Sequence, residues 1–93
     1  MIFSNSKKQL TKRQFAILEY IIKYVQSRMY QPNMKEIAEE FEISISGAYN
    51  HLIVISSKGW IEIGDNQKRR IEISAEAIAL VNGELDQKEW VKE

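Results

Sequence analysis

Ser44, Ser46, Gly47, Tyr49 and Asn50 crowd into one short stretch of this chain. Their chemistry is hydrogen bonding without charge. A carboxamide such as that of Asn50 can pair bidentately with the exposed edge of adenine. The hydroxyls of Ser44 and Ser46 can meet a base or a phosphate. Gly47 lets a backbone approach closely, and Tyr49 can reach a thymine methyl or a phosphate. Plainer readings stand beside each. Asn50 can be a solvated polar residue on a helix, and serines near a helix start are commonly caps. A tolerated mid-helix glycine costs roughly 1 kcal/mol against alanine. Tyr49 can pack on a domain edge.

A second set of residues is cationic. Lys12 and Arg13 follow Thr11 at a helix start, where free amides and the helix dipole suit a phosphate. Lys68, Arg69 and Arg70 share a later loop. Both sets suit a nucleic-acid backbone, which positions a protein without selecting sequence; both are equally compatible with solvated surface charge. The whole chain has 13 basic and 13 acidic side chains. Residues 1–83 carry 11 basic and 9 acidic ones, whereas residues 84–93 carry 2 and 4. A neutral chain can still present one basic face.

Several functions are excluded. There is no cysteine and His51 is the lone histidine, so no thiolate or histidine cluster can hold a metal. His51 reads as structural. No nucleophile–base pair or phosphate loop is present, so neither an enzyme nor a cofactor or small-molecule ligand is expected. No apolar run approaches the roughly 20 residues of a membrane span. The start MIFSNSKKQL lacks the apolar core of a secretion signal. A cytoplasmic chain is expected.

The elements that position these residues can be read in order. Residues 1–10 read as a flexible arm. Thr11 and Gln14 fit a capping box. Phe15, Leu18, Ile21, Ile22, Val25 and Met29 then form one apolar stripe at helical spacing, ending near Arg28. Met29, Tyr30, Gln31 and Pro32 read as a connector. Asn33 caps a second helix with Glu36 as partner; Ile37, Ala38 and Phe41 are its inner side. Glu42, Ile43 and Ser44 make a tight turn, and Ser44 caps a third helix over residues 45–58. Ala48, Leu52 and Ile55 face inward there, while Ser46, Tyr49, Asn50 and Ile53 face outward. Gly59 ends it in the left-handed conformation. Trp60, Ile61, Glu62 and Ile63 alternate, as do Arg70, Ile71, Glu72 and Ile73, which predicts a β-hairpin around loop 64–70. Ser74 caps a fourth helix whose apolar side is Ala75, Ile78, Ala79 and Leu80 or Val81. The tail of residues 84–93 is charged.

Helix, helix–turn–helix and hairpin make a winged helix-turn-helix of the α+β class: a three-helix core, a two-stranded wing and a short C-terminal helix. Residues 11–73 form the domain, and residues 74–93 the terminal helix and tail. At this point the chain also resembles a known family. QLTKRQFAILEYI, the Tyr30, Gln31, Pro32 turn, MKEIAEEF, NHL with KGWIEI, and RRIEI fall in the order and near the spacing of the LexA repressor DNA-binding domain, over residues 9–73. The resemblance implies sequence-specific binding of double-stranded DNA by a transcriptional regulator in the bacterial nucleoid. It places base-reading positions at Ser44, Ser46, Gly47, Tyr49 and Asn50. Helix 45–58 would lie in the major groove, with wing 64–70 and Thr11, Lys12 and Arg13 on phosphates.

The chain departs from the family in three ways. The family's turn carries a glycine where this chain has Glu42, and its turn is one residue longer. A left-handed Glu42 would cost about 1 kcal/mol or more, so a different turn geometry is expected. Most base-reading identities differ, so an operator does not carry over. The family's self-cleaving domain does not fit into residues 74–93; read as a complete chain, this one would not be inactivated by autoproteolysis. The final helix either joins a homodimer or only covers the sheet. The rival function is a winged helix that binds protein rather than DNA, which zero net charge, the acidic second helix and the outward Ile53 favour.

Overall fold

The computed structural model describes residues 8–64 and 70–84. The elements are α1 (Lys12–Arg28), α2 (Met34–Phe41), α3 (Ile45–Ser57), β1 (Ile61–Ile63), β2 (Ile71–Ile73) and α4 (Ala75–Val81). This is the expected α+β winged helix-turn-helix arrangement. Each helix starts where its side-chain chemistry says it should. The Thr11 hydroxyl accepts the Gln14 N–H at 3.1 Å, and Gln14 Oε1 accepts the Thr11 N–H at 3.0 Å. Asn33 and Glu36 form the same reciprocal box at 2.8 and 2.9 Å. Ser44 and Ser74 cap α3 and α4 with single hydroxyl acceptors. Satisfying these orphan amides fixes where each helix begins.

One apolar cluster holds the layers together. Ile17, Leu18, Ile21 and Ile22 of α1 meet Ile37 and Ala38 of α2 and Ala48, Leu52 and Ile55 of α3. Trp60, Ile61 and Ile71 close it from the hairpin, and Ala77 and Leu80 from α4. The strands pair antiparallel with Ile61 opposite Ile73, Glu62 opposite Glu72 and Ile63 opposite Ile71. Two carboxylates thus face each other across the outer side of the hairpin, which opposes pairing. Burial of Ile61 and Ile71 outweighs it.

Several expectations are corrected. Leu10, expected in a flexible arm, is fully buried in the core. The Lys8 N–H donates to Lys58 O at 3.0 Å, and Trp60 Nε1 donates to Lys8 O at 2.7 Å. These bonds dock residues 8–10 against the end of α3; residues 1–7 lie outside the described residues. Met29 leaves the α1 stripe. It takes the left-handed conformation that ends the helix (φ 67°) and is 84% exposed. Ile17 and Tyr24 are buried in that helix instead. The inner side of α4 is Ala77 and Leu80, packed toward α1, while Ala75 and Ile78 are exposed.

Glu42 is the most instructive correction. It does adopt the left-handed conformation (φ 57°, ψ 46°). Its N–H donates to Glu39 O, and the Ile43 N–H reaches back to Ala38 O at 3.0 Å. That pair of bonds satisfies carbonyls the helix end would otherwise leave open. Ile43 is then half-buried against the core. These gains offset the steric cost at Glu42.

The connector also does more than turn the chain. The Gln31 carboxamide lies along the free edge of β2. Its Nε2 donates to Ile71 O, and its Oε1 accepts the Ile71 N–H at 3.1 Å. One side chain thus supplies the two bonds a third strand would have made, and blunts an open edge.

Candidate nucleic-acid interface

The short α2–α3 turn directs the start of α3 outward. Ser44 Oγ accepts the Gly47 N–H at 2.9 Å and stands 3.4 Å from Ser46 Oγ. Ser44 is therefore a cap whose hydroxyl remains at the surface. Gly47 has a local reason to be glycine. A Cβ there would come within 3.0 Å of the Ser44 hydroxyl and 3.9 Å of Ile43 Cβ. Space for the cap explains the residue better than simple tolerance.

Beyond the first turn, α3 separates cleanly into two sides. Ala48, Leu52 and Ile55 are fully buried. Ser46 and Asn50 are exposed, Tyr49 and Gly47 are half-buried, and His51 is half-buried between the two sides. Ile53 is exposed as expected. The sequence reading missed Ile45 and Val54, which are also exposed on this helix. Val54 stands four residues after Asn50, so helical spacing could have found it.

Of the cations, Lys12 and Arg13 are exposed in the first turn of α1, which contains no acid. Thr11 caps that turn. Arg13 extends over the Phe41 ring at 5.8 Å, which takes its guanidinium toward the helix–turn–helix turn. Lys58, which the sequence reading did not single out, is drawn to the same helix start. Its Nζ donates to Gln14 Oε1 at 2.6 Å, on the oxygen that also holds the Thr11 N–H. The structure therefore groups Thr11, Lys12, Lys58 and, through its backbone, Lys8 between the start of α1 and the end of α3. Arg70 is exposed, and its carbonyl accepts the Gly64 N–H at 2.8 Å to close the base of the wing loop. Lys68 and Arg69 lie outside the described residues.

An aromatic row braces α1 against α2 behind this arrangement. Tyr30, Tyr24, Tyr20 and Phe41 meet edge-on at 5.7–5.8 Å between centroids. Tyr24 Oη donates to Glu36 Oε2 at 2.8 Å, and the Arg28 guanidinium stacks 4.5 Å from the Tyr24 ring. The bond to Glu36, followed by burial, pushes the Tyr24 phenol up to about 12. The Asn33 N–H, and then the Tyr24 hydroxyl, hold the Glu36 carboxyl below its ordinary range. Tyr20 is raised by burial and by the nearby carboxylates of α2.

Among the described residues no group of histidine, cysteine and carboxylate side chains could hold a metal ion. Nor is any helix long and apolar enough to cross a membrane.

Comparison with known proteins agrees with this architecture. The family model described as LexA DNA binding domain matches residues 7–70. A LexA repressor of Leptospira interrogans is 41% identical over 66 residues, covering 71% of this chain and 32% of the relative. That of Leptospira biflexa is 41% identical over 66 residues, covering 71% and 33%. That of Thermotoga maritima is 39% identical over 67 residues, covering 72% and 34%. The chain thus spans about a third of the length of the curated relatives it matches. With the match running from the start of α1 through the helix–turn–helix to the base of the wing, the chain belongs to the LexA DNA binding domain family.

Proposed function

We propose that this chain binds double-stranded DNA sequence-specifically and acts as a transcriptional repressor in the bacterial nucleoid, without enzymatic activity of its own. α3 lies in the major groove, which is wide enough to admit a helix. Asn50 reads adenine, while Ser44, Ser46, Gly47 and Tyr49 fit the helix start to the groove. Thr11, Lys12 and Arg13 hold one stretch of phosphate backbone, and wing 64–70, with Lys68, Arg69 and Arg70, holds another. The observation that carries this reading is the uncovered polar side of α3. Ser46 and Asn50 stand in solvent while the opposite side of the same helix is sealed in the core. The exposed cations at the start of α1 add the charge that backbone binding requires.

The test is a titration of random and promoter-region duplexes across a range of salt. Asn50→Ala should abolish the preference for a specific site. Lys12→Ala should weaken all sequences alike and reduce the salt slope by about one. Absence of binding at low salt would end the reading.

A homodimer through α4 extends the proposal. Two-fold dimers match palindromic sites, and a module this small gains affinity from a second copy. Ala77 and Leu80 belong to the core, so deleting α4 would damage the fold. The exposed Ile78 is the residue to change. Ile78→Glu should convert a dimer to a monomer in sedimentation equilibrium while leaving the helix content intact.

A further inference from the structure

Residues 43–57 contain no lysine, arginine, aspartate or glutamate. The whole of α3 falls inside that span. This limits what the helix can read. Guanine is read in the major groove chiefly by bidentate arginine or lysine, and cytosine by a carboxylate that accepts from its amino group. α3 offers neither. His51, the one imidazole on the helix, is half-buried next to Leu52. The hydroxyls of Ser44 and Ser46 accept or donate and so discriminate weakly.

Two kinds of group remain that do discriminate. Asn50 is a carboxamide in solvent, suited to adenine. Ile53 and Val54 follow it by three and four residues, which places them beside it on the next turn. They are 44% and 39% exposed, and Ile45 at the helix start is 52% exposed. Ile53 and Val54, adjacent and both partly in solvent, form a small apolar patch next to Asn50 that a partner surface can cover. In the major groove the one apolar group on a base edge is the thymine methyl.

We infer that α3 is a reader of A·T base pairs, with Asn50 on adenine and Ile53 and Val54 against thymine methyls. This rests on the DNA-binding reading above and adds the composition of the site. G·C pairs are disfavoured under α3 because the helix carries neither a lysine or arginine for guanine nor a carboxylate for cytosine, and its hydroxyls pair with any base. Any guanine or cytosine preference in the full site must come from elements other than α3.

The test is selection of bound duplexes from a randomised pool by the intact chain, repeated with Asn50→Ala and with the double variant Ile53→Ala, Val54→Ala. All three side chains are exposed, so the fold should survive. Positions whose preference changes in the variants are those under α3. They should be A·T in the selected site. Replacing thymine by uracil there, which removes only the methyl, should lower affinity about three- to fourfold per contacted methyl. That penalty should vanish in the double variant. A 5-methylcytosine·guanine pair should bind better than its unmethylated form at the same position. Guanine or cytosine selected under α3, or indifference to uracil, overturns the inference while leaving DNA binding intact. Failure to retain any duplex at low salt removes the DNA-binding reading and this inference together.

Discussion

α2 carries Glu36, Glu39 and Glu40 and ends on Glu42; α3, one tight turn later, carries no charged side chain at all. The two helices are halves of one motif and are stabilised by different means. α2 is short and is secured at its termini. Asn33 and Glu36 box its start, Glu36 is held by Tyr24, and the left-handed Glu42 closes its end. Its exposed acids near the C-terminus oppose the helix dipole there, and the Arg13 guanidinium over Phe41 supplies the opposite charge. α3 has one capping hydroxyl and is secured by its inner side and by the Lys58–Gln14 tie at its end. Ser46, Asn50, Ile53 and Val54 on its outward side thus stay exposed and outside the core. The docking of α3 proposed above would use a surface the core does not depend on.

Adjacent residues on α3 break this comparison most sharply if it is wrong. Leu52 is fully buried, whereas Ile53 is half in solvent. Leu52→Ala should lower the unfolding free energy by roughly 2–5 kcal/mol, since a core cavity adds to lost burial. Ile53→Ala should fall within about 0.5 kcal/mol of the parent. Urea denaturation of the two variants gives both numbers. Comparable losses would mean the outward side is structural after all.

The termini of α2 give the intermediate effects. Asn33→Ala removes the acceptor for the Glu36 N–H and should cost about 1 kcal/mol. Glu42→Gly has the opposite sign. Glycine takes φ near +57° without the Cβ clash, so stability should rise by about 1 kcal/mol, less the extra backbone freedom of the unfolded chain. A rise in the urea midpoint for Glu42→Gly and a fall for Asn33→Ala would confirm that α2 is held at its ends.

Much of this was legible in the sequence because it is local. Caps at Thr11, Asn33, Ser44 and Ser74 are set by residues three apart, and the two Ile-Glu-Ile strands announce themselves by alternation. The inner side of α3 followed from helical spacing alone. The failures are all long-range. Nothing near Leu10 indicates that its neighbour Lys8 will bond to Lys58 and Trp60, and nothing near Gln31 indicates the edge of β2. The left-handed Glu42 was misjudged because its steric cost is local, while what offsets it, Ile43 settling against the core, is not. On α3, the exposed polar residues Ser46 and Asn50 were legible by type and spacing, whereas Lys58 was not, because its contact with Gln14 spans most of the domain. Val54 was missed for a plainer reason: apolar residues are read as core until their direction is checked.

The bond from Tyr24 to Glu36 gives the smallest and most specific effect, because it joins α2 to α1 through a single part-buried hydrogen bond. The sign differs for its two ends. Tyr24 is kept in its neutral form, with its pKa pushed from an ordinary 10.0 up to about 12. Its contribution is complete below the unfolded value and is lost as pH rises through the folded one. Glu36 is kept ionised, so its contribution is complete above the ordinary carboxylate range and is lost as pH falls through its lowered value. Stability should therefore be flat at neutral pH and decline at both extremes. Tyr24→Phe should remove the alkaline decline attributable to this bond, and only part of the acidic one. The Asn33 N–H, the larger influence on Glu36, remains in that variant. Thermal midpoints of parent and variant between neutral pH and about pH 12 would show it. An identical alkaline decline in both would mean that the phenol does not secure α2.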